Sequence, residues 1–222
     1  MADIKVKDLY SLEESLAGEM LSKCEYPWEA LPKIKDLILE LGPKLSEDEY
    51  DYKGDNVWIA KTAKIYPNNY IAGPTIIGPE TEVRTGAFIR GNALVGSKCV
   101  VGNSTELKNV ILFNNVQVPH YNYVGDSILG YKAHMGAGSI TSNVKSDKQL
   151  VIVHNEGENI ETGLKKFGAM LGDNVEVGCN SVLNPGTVIG KCSNVYPTSC
   201  VRGVVAKCSI HKNSGEVIKK HE

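Results

Sequence analysis

At 222 residues the chain suits one domain, or a repeat domain with an appendage, and can bury roughly 70% of its unfolded surface. A net charge of -2 argues against nucleic-acid binding through a basic face. With no signal-like leader and no apolar run long enough to cross a bilayer, the expectation is a soluble, cytoplasmic protein without a membrane partner.

Residues 1–50 read as a helical appendage. "SLEE" offers a capping box between Ser11 and Glu14, and "ALPKIKDLILELGP" places Leu31, Ile34, Ile38 and Leu41 on one helical face before Gly42 and Pro43 end it. That stripe must pack on the main body or on a neighbouring subunit, and capping of an open N-terminal coil is the expected role.

From residue 59 the apolar period becomes six. Ile59, Ile65, Ile71, Ile77, Val83, Ile89, Val95, Val101, Leu107 and Phe113 make one ladder; Leu171, Val177, Leu183, Ile189, Val195 and Val201 make another. Gly or Ala often follows the ladder residue, and a small or β-branched residue such as Thr81, Thr105, Ser181 or Ser193 stands four positions after it. This hexapeptide pattern predicts a parallel β-helix over residues 51–222, six residues giving one short strand and its corner. Period six resembles the left-handed member of that class, so the predicted fold is mainly β, a left-handed parallel β-helix with helices at its start. Between the ladders, residues 142–170 keep no period; "QLVIVHNEGENIETG" reads as a hairpin turning near "NEGE", an inserted arm leaving the prism. The six cysteines form no CxxC pair and read as reduced, mostly buried thiols.

Arg90 and Lys108 both follow a ladder residue and lie one 18-residue coil apart, so their backbones stack about 5 Å from each other. Two cations at that distance repel by roughly 1 kcal/mol in water and about 4 at an effective dielectric of 20. A bound phosphate between them is one reading and an innocuous surface pair the other. The next beat after Phe113 falls on Pro119, followed by His120. Pro lacks a ladder amide, so the strand is expected to break there and leave the imidazole on a rim, a candidate catalytic group.

The blocks "GN…ELK", "H-x-x-YVGD" and "GAG-x-IT-x-N" then carry a resemblance. The chain is similar over roughly its last 150 residues to the acetyltransferase domain of the bifunctional glucosamine-1-phosphate acetyltransferase / N-acetylglucosamine-1-phosphate uridyltransferase family, within the hexapeptide-repeat acyltransferases. The segment "ETGLKKFGAMLGD" looks more like the related archaeal-type sugar-1-phosphate enzymes. The resemblance implies acetyl-CoA as co-substrate, no required metal, a phosphorylated amino sugar as acceptor, and a homotrimer with sites between subunits. It implies His120 as general base, Arg90 and Lys108 as phosphate-binding cations, and Tyr123 and Asn143 as substrate contacts. It also implies Gly136 and Ala137 of "GAG" at the thioester, with the Ala137 amide as oxyanion donor, and Cys179 and Lys212 as CoA contacts.

His134 departs from the family, standing where the glucosamine enzyme has an Asn on the sugar, so the expected acceptor is either glucosamine-1-phosphate or galactosamine-1-phosphate. The family's later phosphate-binding Lys falls in the arm among Lys145, Lys148, Lys165 and Lys166, with Lys166 preferred. The roughly 50 residues before the β-helix cannot hold a nucleotidyltransferase domain, so none is expected within them. The alternatives are an acyltransferase of another small acceptor, serine-like or a UDP-amino sugar, and a non-catalytic β-helix scaffold or sugar-binding protein. A zinc hydratase on this fold would need H-x4-H spacing, which the sequence lacks.

Overall fold

A short strand followed by a corner, repeated every six residues, builds a three-faced coil. The computed structural model, which describes residues 2–220, shows that parallel β-helix. β2 (Val57–Ala60), β3 (Lys64–Ile65) and β4 (Tyr70–Ile71) lie one on each face of the first coil. They pair in parallel with Thr75–Ile77, Glu82–Val83 and Phe88–Ile89, each 18 residues on. Ladder residues Ile77, Val83, Ile89, Val95 and Val101 are fully buried inside. The small residues at the corners do more than leave room. The hydroxyls of Thr81, Thr105, Ser181 and Ser193 donate to the carbonyls of Gly96, Val118, Tyr196 and Ala206 on the next coil at 2.7–3.0 Å, so these buried polar groups are themselves satisfied and tie one coil to the next.

The six-residue beat does not fail at Pro119. It shortens earlier, because Leu107 pairs with Ile89 whereas Leu112, five residues later, pairs with Val95. Asn109, at φ 56°, turns that corner with one residue fewer. The same shortening recurs between Val124 and Leu129, where Asp126 has φ 48°. The ladder therefore continues through Leu112 and Val118, and Gln117–His120 is an unbroken strand containing Pro119. Arg84, Gly136 and Gly178 at the same position each donate an N–H to the next coil; Pro119 deletes that one bond and no more. Phe113 leaves the ladder and packs on Tyr10, ring centroids 5.0 Å apart.

The helical region, α1 (Val6–Leu9), α2 (Gly18–Ser22) and α3 (Ile34–Leu41), does not cap the first coil. It lies along the face built on β2, because the outward residues there are themselves apolar: Ile76, Leu94, Ile111, Ile128, Met170 and Val188 are all buried. Leu31, Ile34 and Ile38 are buried and Leu41 is half-buried. Lys207 meets Asp3 at 2.9 Å, Asn114 bonds the Glu14 carbonyl at 2.9 Å, and Asn109 bonds the Leu31 carbonyl at 3.2 Å. At the far end a Cβ on Gly42 would lie 2.5 Å from the Trp58 ring, so only glycine lets the strap close on the first coil. The sheet edges are covered instead by antiparallel strands, β1 (Tyr50–Tyr52) on β2 and Val217–Lys219 on Ser209–His211.

The capping box does not form. Leu12–Glu14 is a single 3-10 turn without a side-chain cap, and the Ser11 amide and hydroxyl both donate to Asp173 Oδ2 at 2.8 Å. Asp173, 2% exposed, also accepts the Tyr131 amide at 2.9 Å and pairs with Lys191 at 2.9 Å. Asp173→Ala is expected to cost about 3 kcal/mol, the low end for breaking a buried pair because Lys191 can reach water. In a chain of this size that lowers Tm by roughly 6–12 °C, measurable by thermal melting.

The arm forms the hairpin Ile152–Asn155 with Glu158–Glu161, turning through Glu156 and Gly157. It does not leave the prism. Val151 and Val153 are fully buried, and Asn155 exchanges hydrogen bonds of 3.1 and 3.0 Å with the Ala2 backbone. The thiols also depart from expectation: Cys24 and Cys99 are buried, burial pushing Cys99 up to about 12, but Cys179, Cys200 and Cys208 are exposed and Cys192 is intermediate.

His211 ends the inward ladder opposite Val195, 6% exposed with Nδ1 unpartnered, and burial pushes its pKa down from 6.5. A base held neutral in the fold but free to protonate when unfolded makes the unfolded chain the better proton binder. Stability is then complete above the ordinary histidine value and is lost as pH falls through about 6.5. Melting from pH 8 to pH 5 should show a falling Tm in that window, with a shallower slope in His211→Leu. Among the described residues no helix is long and apolar enough to cross a membrane, and no three His, Cys, Asp or Glu are grouped to hold a metal ion.

Candidate active site

Two edges of the face built on β4 carry the sequence-predicted residues. At the edge where the chain leaves this face, Arg90 and Lys108 occupy adjacent coils, the Arg90 amide bonding the Leu107 carbonyl at 2.9 Å. Neither cation is left facing the other. Arg90 pairs with Glu106 at 2.8 Å, and Lys108 pairs with Asp126 at 3.0 Å. These carboxylates relieve the repulsion expected of a bare pair, and the sequence reading missed both.

Asp126 is the hub of this corner. It is 4% exposed and accepts from Lys108, from Asn109 Nδ2 at 3.0 Å and from Asn143 Nδ2 at 2.6 Å. Its carbonyl accepts the Gly168 amide at 2.8 Å, while the Asn143 carbonyl accepts the Phe167 amide at 3.0 Å. Both feet of the arm are thus fastened here, which brings the exposed Lys166 to the same corner. Lys145, by contrast, is engaged with Asp147 at 3.2 Å.

Tyr123 belongs to the same group. A Cβ on Gly125 would sit 2.4 Å from the Tyr123 hydroxyl, so the phenol can lie along its strand toward Lys108 only because residue 125 has no side chain. Burial, then the carboxylates of Asp126 and Glu106, push the Tyr123 pKa up, which keeps the phenol an O–H donor at neutral pH. The "YVGD" block therefore has a physical reading: a phenol, the gap it lies over, and the carboxylate that fixes its neighbours.

His120 stands at the opposite edge of this face. Gln117 lies opposite His134 and Met135 opposite Val177, which puts His120, Ala137 and Cys179 at one level on three successive coils, about 5 Å apart. The His120 side chain is exposed, its amide donates to Asn122 Oδ1 at 3.1 Å, and its carbonyl accepts the Gly138 amide at 3.0 Å. Asn122, 2% exposed, ties this strand to the next coil by donating to the carbonyls of Gly136 and Ser139 at 2.8 and 3.0 Å. A Cβ on Gly136 would lie 3.0 Å from Cys179 Sγ, so the thiol rests directly over the glycine. The amide of Ala137 finds no acceptor among the described residues.

From His120 the chain rounds the corner at Tyr121 and Asn122 and crosses the face from Tyr123 to Gly125, opposite Lys108, five residues that span at most about 17 Å. No hydrogen bond or ion pair among the described residues joins His120 to the Arg90–Asn143 group, and the gap is spanned only by the reach of the side chains. Two sequence-predicted residues lie elsewhere. His134 sits on the face built on β3, its Nδ1 2.7 Å from Glu176 Oε2, away from the cations. Lys212 opens the turn of the last hairpin and pairs with Glu216 at 2.9 Å.

Residues 71–218 match the family described as the GMPPB C-terminal domain. The chain belongs to that family. It is 36% identical over 211 residues to the "Bifunctional protein GlmU" of Methanococcus aeolicus, covering 87% of this chain and 49% of the relative. It is 34% identical over 155 residues to the "Bifunctional sugar-1-phosphate nucleotidylyltransferase/acetyltransferase" of Sulfurisphaera tokodaii, covering 70% of this chain and 38% of the relative. The chain therefore spans about half, or less, of the length of these relatives. Among solved structures, a hexapeptide transferase family protein from Anaplasma phagocytophilum is similar at a TM-score of 0.43 and 17% identity, covering 75% of this chain and 81% of its own.

Proposed function

We propose that this domain transfers an acetyl group from acetyl-CoA to the amine of an amino-sugar 1-phosphate. The observation that carries the reading is the face bordered on one edge by the His120–Ala137–Cys179 column and on the other by Arg90, Lys108, Tyr123 and Asn143. An imidazole and an unengaged backbone N–H stand one face-width from two cations, of which Arg90 can exchange its carboxylate partner for a phosphate while Lys108 keeps Asp126 and offers its remaining N–H donors. The Arg90–Glu106 pair has both side chains partly exposed, and surface pairs of that kind are worth ~0–1 kcal/mol, so exchange of Glu106 for phosphate is inexpensive.

Acetyl-CoA, when bound, supplies an activated thioester. His120 accepts the proton of the sugar amine as nitrogen attacks the thioester carbonyl; the C–N bond forms, the C–S bond then breaks, and the departing CoA thiolate takes up that proton. The Ala137 N–H donates to the carbonyl oxygen where negative charge develops. Arg90 and Lys108, with Lys166 from the arm, hold the phosphate, and the Tyr123 hydroxyl donates to it. Following the coil register from Cys179 through Pro197 brings the column to within one residue of Lys212. The path from His120 is about 19 Å, comparable with an extended pantetheine arm, which supports Cys179 and Lys212 as CoA contacts.

A homotrimer is part of this proposal. The face built on β2 is covered by the strap and that on β3 is mostly polar, whereas the face built on β4 presents Tyr70 and Phe88 exposed, Tyr70 60% so, with Ile140 and Val182 half-buried beside them. An apolar face that also carries the site suits an interface between copies. The test is thiol release from acetyl-CoA by purified protein, with its mass measured by light scattering. Glucosamine-1-phosphate, galactosamine-1-phosphate, UDP-amino sugars and serine are offered as acceptors. Turnover of an amino-sugar phosphate supports the reading; turnover of serine alone defeats it.

A further inference from the structure

A second cationic site lies on the same corner as Arg90 and Lys108, at the other end of the prism. Arg202 follows ladder residue Val201 as Arg90 follows Ile89 and Lys108 follows Leu107, and the register runs unbroken through Val124, Thr141 and Leu183. Four coil steps separate Lys108 from Arg202, about 19 Å. One phosphate cannot serve both.

Here the arm folds back and leaves a cleft of about 540 Å³ between its hairpin and the coil corners, lined by Lys145, His154, Arg202, Ser142, Asn184 and Ile152 among others. That is within the size range of small-molecule sites, about 300–1,000 Å³. The walls are fixed by close backbone approach. A Cβ on Gly203, at φ 70°, would lie 2.8 Å from the His154 carbonyl, and one on Gly186, at φ 83°, would lie 2.8 Å from Val151 Cγ1.

The titratable groups lining the cleft are Lys145, Asp147, His154 and Arg202. Asp147 is matched by Lys145 at 3.2 Å, whereas Arg202 has no carboxylate partner among the described residues. His154 Nδ1 is held 2.6 Å from Asn159 Oδ1, so that nitrogen is the donor and Nε2 is left unengaged. The net charge is positive, and Ile152 with the flat imidazole supplies an apolar wall.

We propose that this cleft binds a phosphorylated small molecule, a nucleotide or a sugar phosphate, with its phosphate on Arg202 and Lys145 and its ring against His154 and Ile152. It is a site additional to the acceptor's, and it does not rest on the acetyl-transfer reading.

The test is calorimetric titration of the whole protein, without acetyl donor, with inorganic pyrophosphate, UDP, ADP, glucose-1-phosphate and CoA in parallel. The expected result is a dissociation constant below about 1 mM for pyrophosphate, a nucleotide or the sugar phosphate. Arg202→Ala or Lys145→Ala should weaken it tenfold or more, at unchanged Tm, while Arg90→Ala leaves it intact. Preference for UDP and ADP identifies a nucleotide site, and preference for glucose-1-phosphate a sugar-phosphate site; either supports the proposal. Binding by none of the probes overturns it, as does binding that is lost in Arg90→Ala but kept in Arg202→Ala. If CoA alone binds, and Arg202→Ala raises the KM for acetyl-CoA, the cleft belongs to the co-substrate and the additional site is refuted.

Discussion

His120→Ala is expected to lower acetyl transfer by about 10²–10⁴-fold, the usual contribution of a positioned general base. The loss should fall on kcat with the acceptor KM little changed, because the imidazole meets the amine and not the phosphate. Folding should be spared: the side chain is exposed, and its strand is held through backbone groups that alanine retains. Thiol release followed beside a melting curve measures both. A variant that keeps more than a tenth of the parent rate would make His120 a structural residue of the corner.

The second large effect concerns the cations. Arg90→Ala and Lys108→Ala each remove a charge-assisted hydrogen bond to the acceptor, worth about 1.5–3 kcal/mol, which is roughly a 10- to 150-fold rise in acceptor KM. The two should not behave alike. Removing Lys108 leaves Asp126 buried at the hub with only Asn109 and Asn143 as donors, so Lys108→Ala should also lower Tm. Arg90→Ala frees only the partly exposed Glu106. Comparing phosphorylated with unphosphorylated amino sugar separates the roles: if the parent protein uses both equally, these residues do not read phosphate.

The β-helix was legible because six-residue periodicity is a direct trace of strand and corner, and the corner hydroxyls of Thr81 and Ser193 made the trace redundant. The shift of register was not, because Leu107 and Phe113 keep the six-residue beat by coincidence, Leu112 and Phe113 both being apolar. Asn109 was the available signal, as a residue that tolerates positive φ at a corner one position too early. His120 was singled out through a strand break that the structure does not contain, and its place opposite the cations comes from the coil register. Arg90 and Lys108 could be brought together by counting, but Glu106 and Asp126 could not be assigned to them. A carboxylate on a corner reads as solvated until the neighbouring coil is known. The strap was misplaced for a similar reason: its apolar stripe matches the outward residues Leu94, Ile111 and Ile128, which sit one position before the ladder and were not read as a second stripe.

A stack of coils ordinarily communicates only between neighbours, so that one end can melt while the other persists. Here the strap reaches from Lys207 on the last coils, past Asp173 and Asn114, to Trp58 on the first. Fraying either end must detach a segment that also holds the middle. The chain should therefore unfold in denaturant as one transition, with spectroscopic probes of the first and last coils reporting the same midpoint. A tether of about forty residues converts a one-dimensional array into a single cooperative unit.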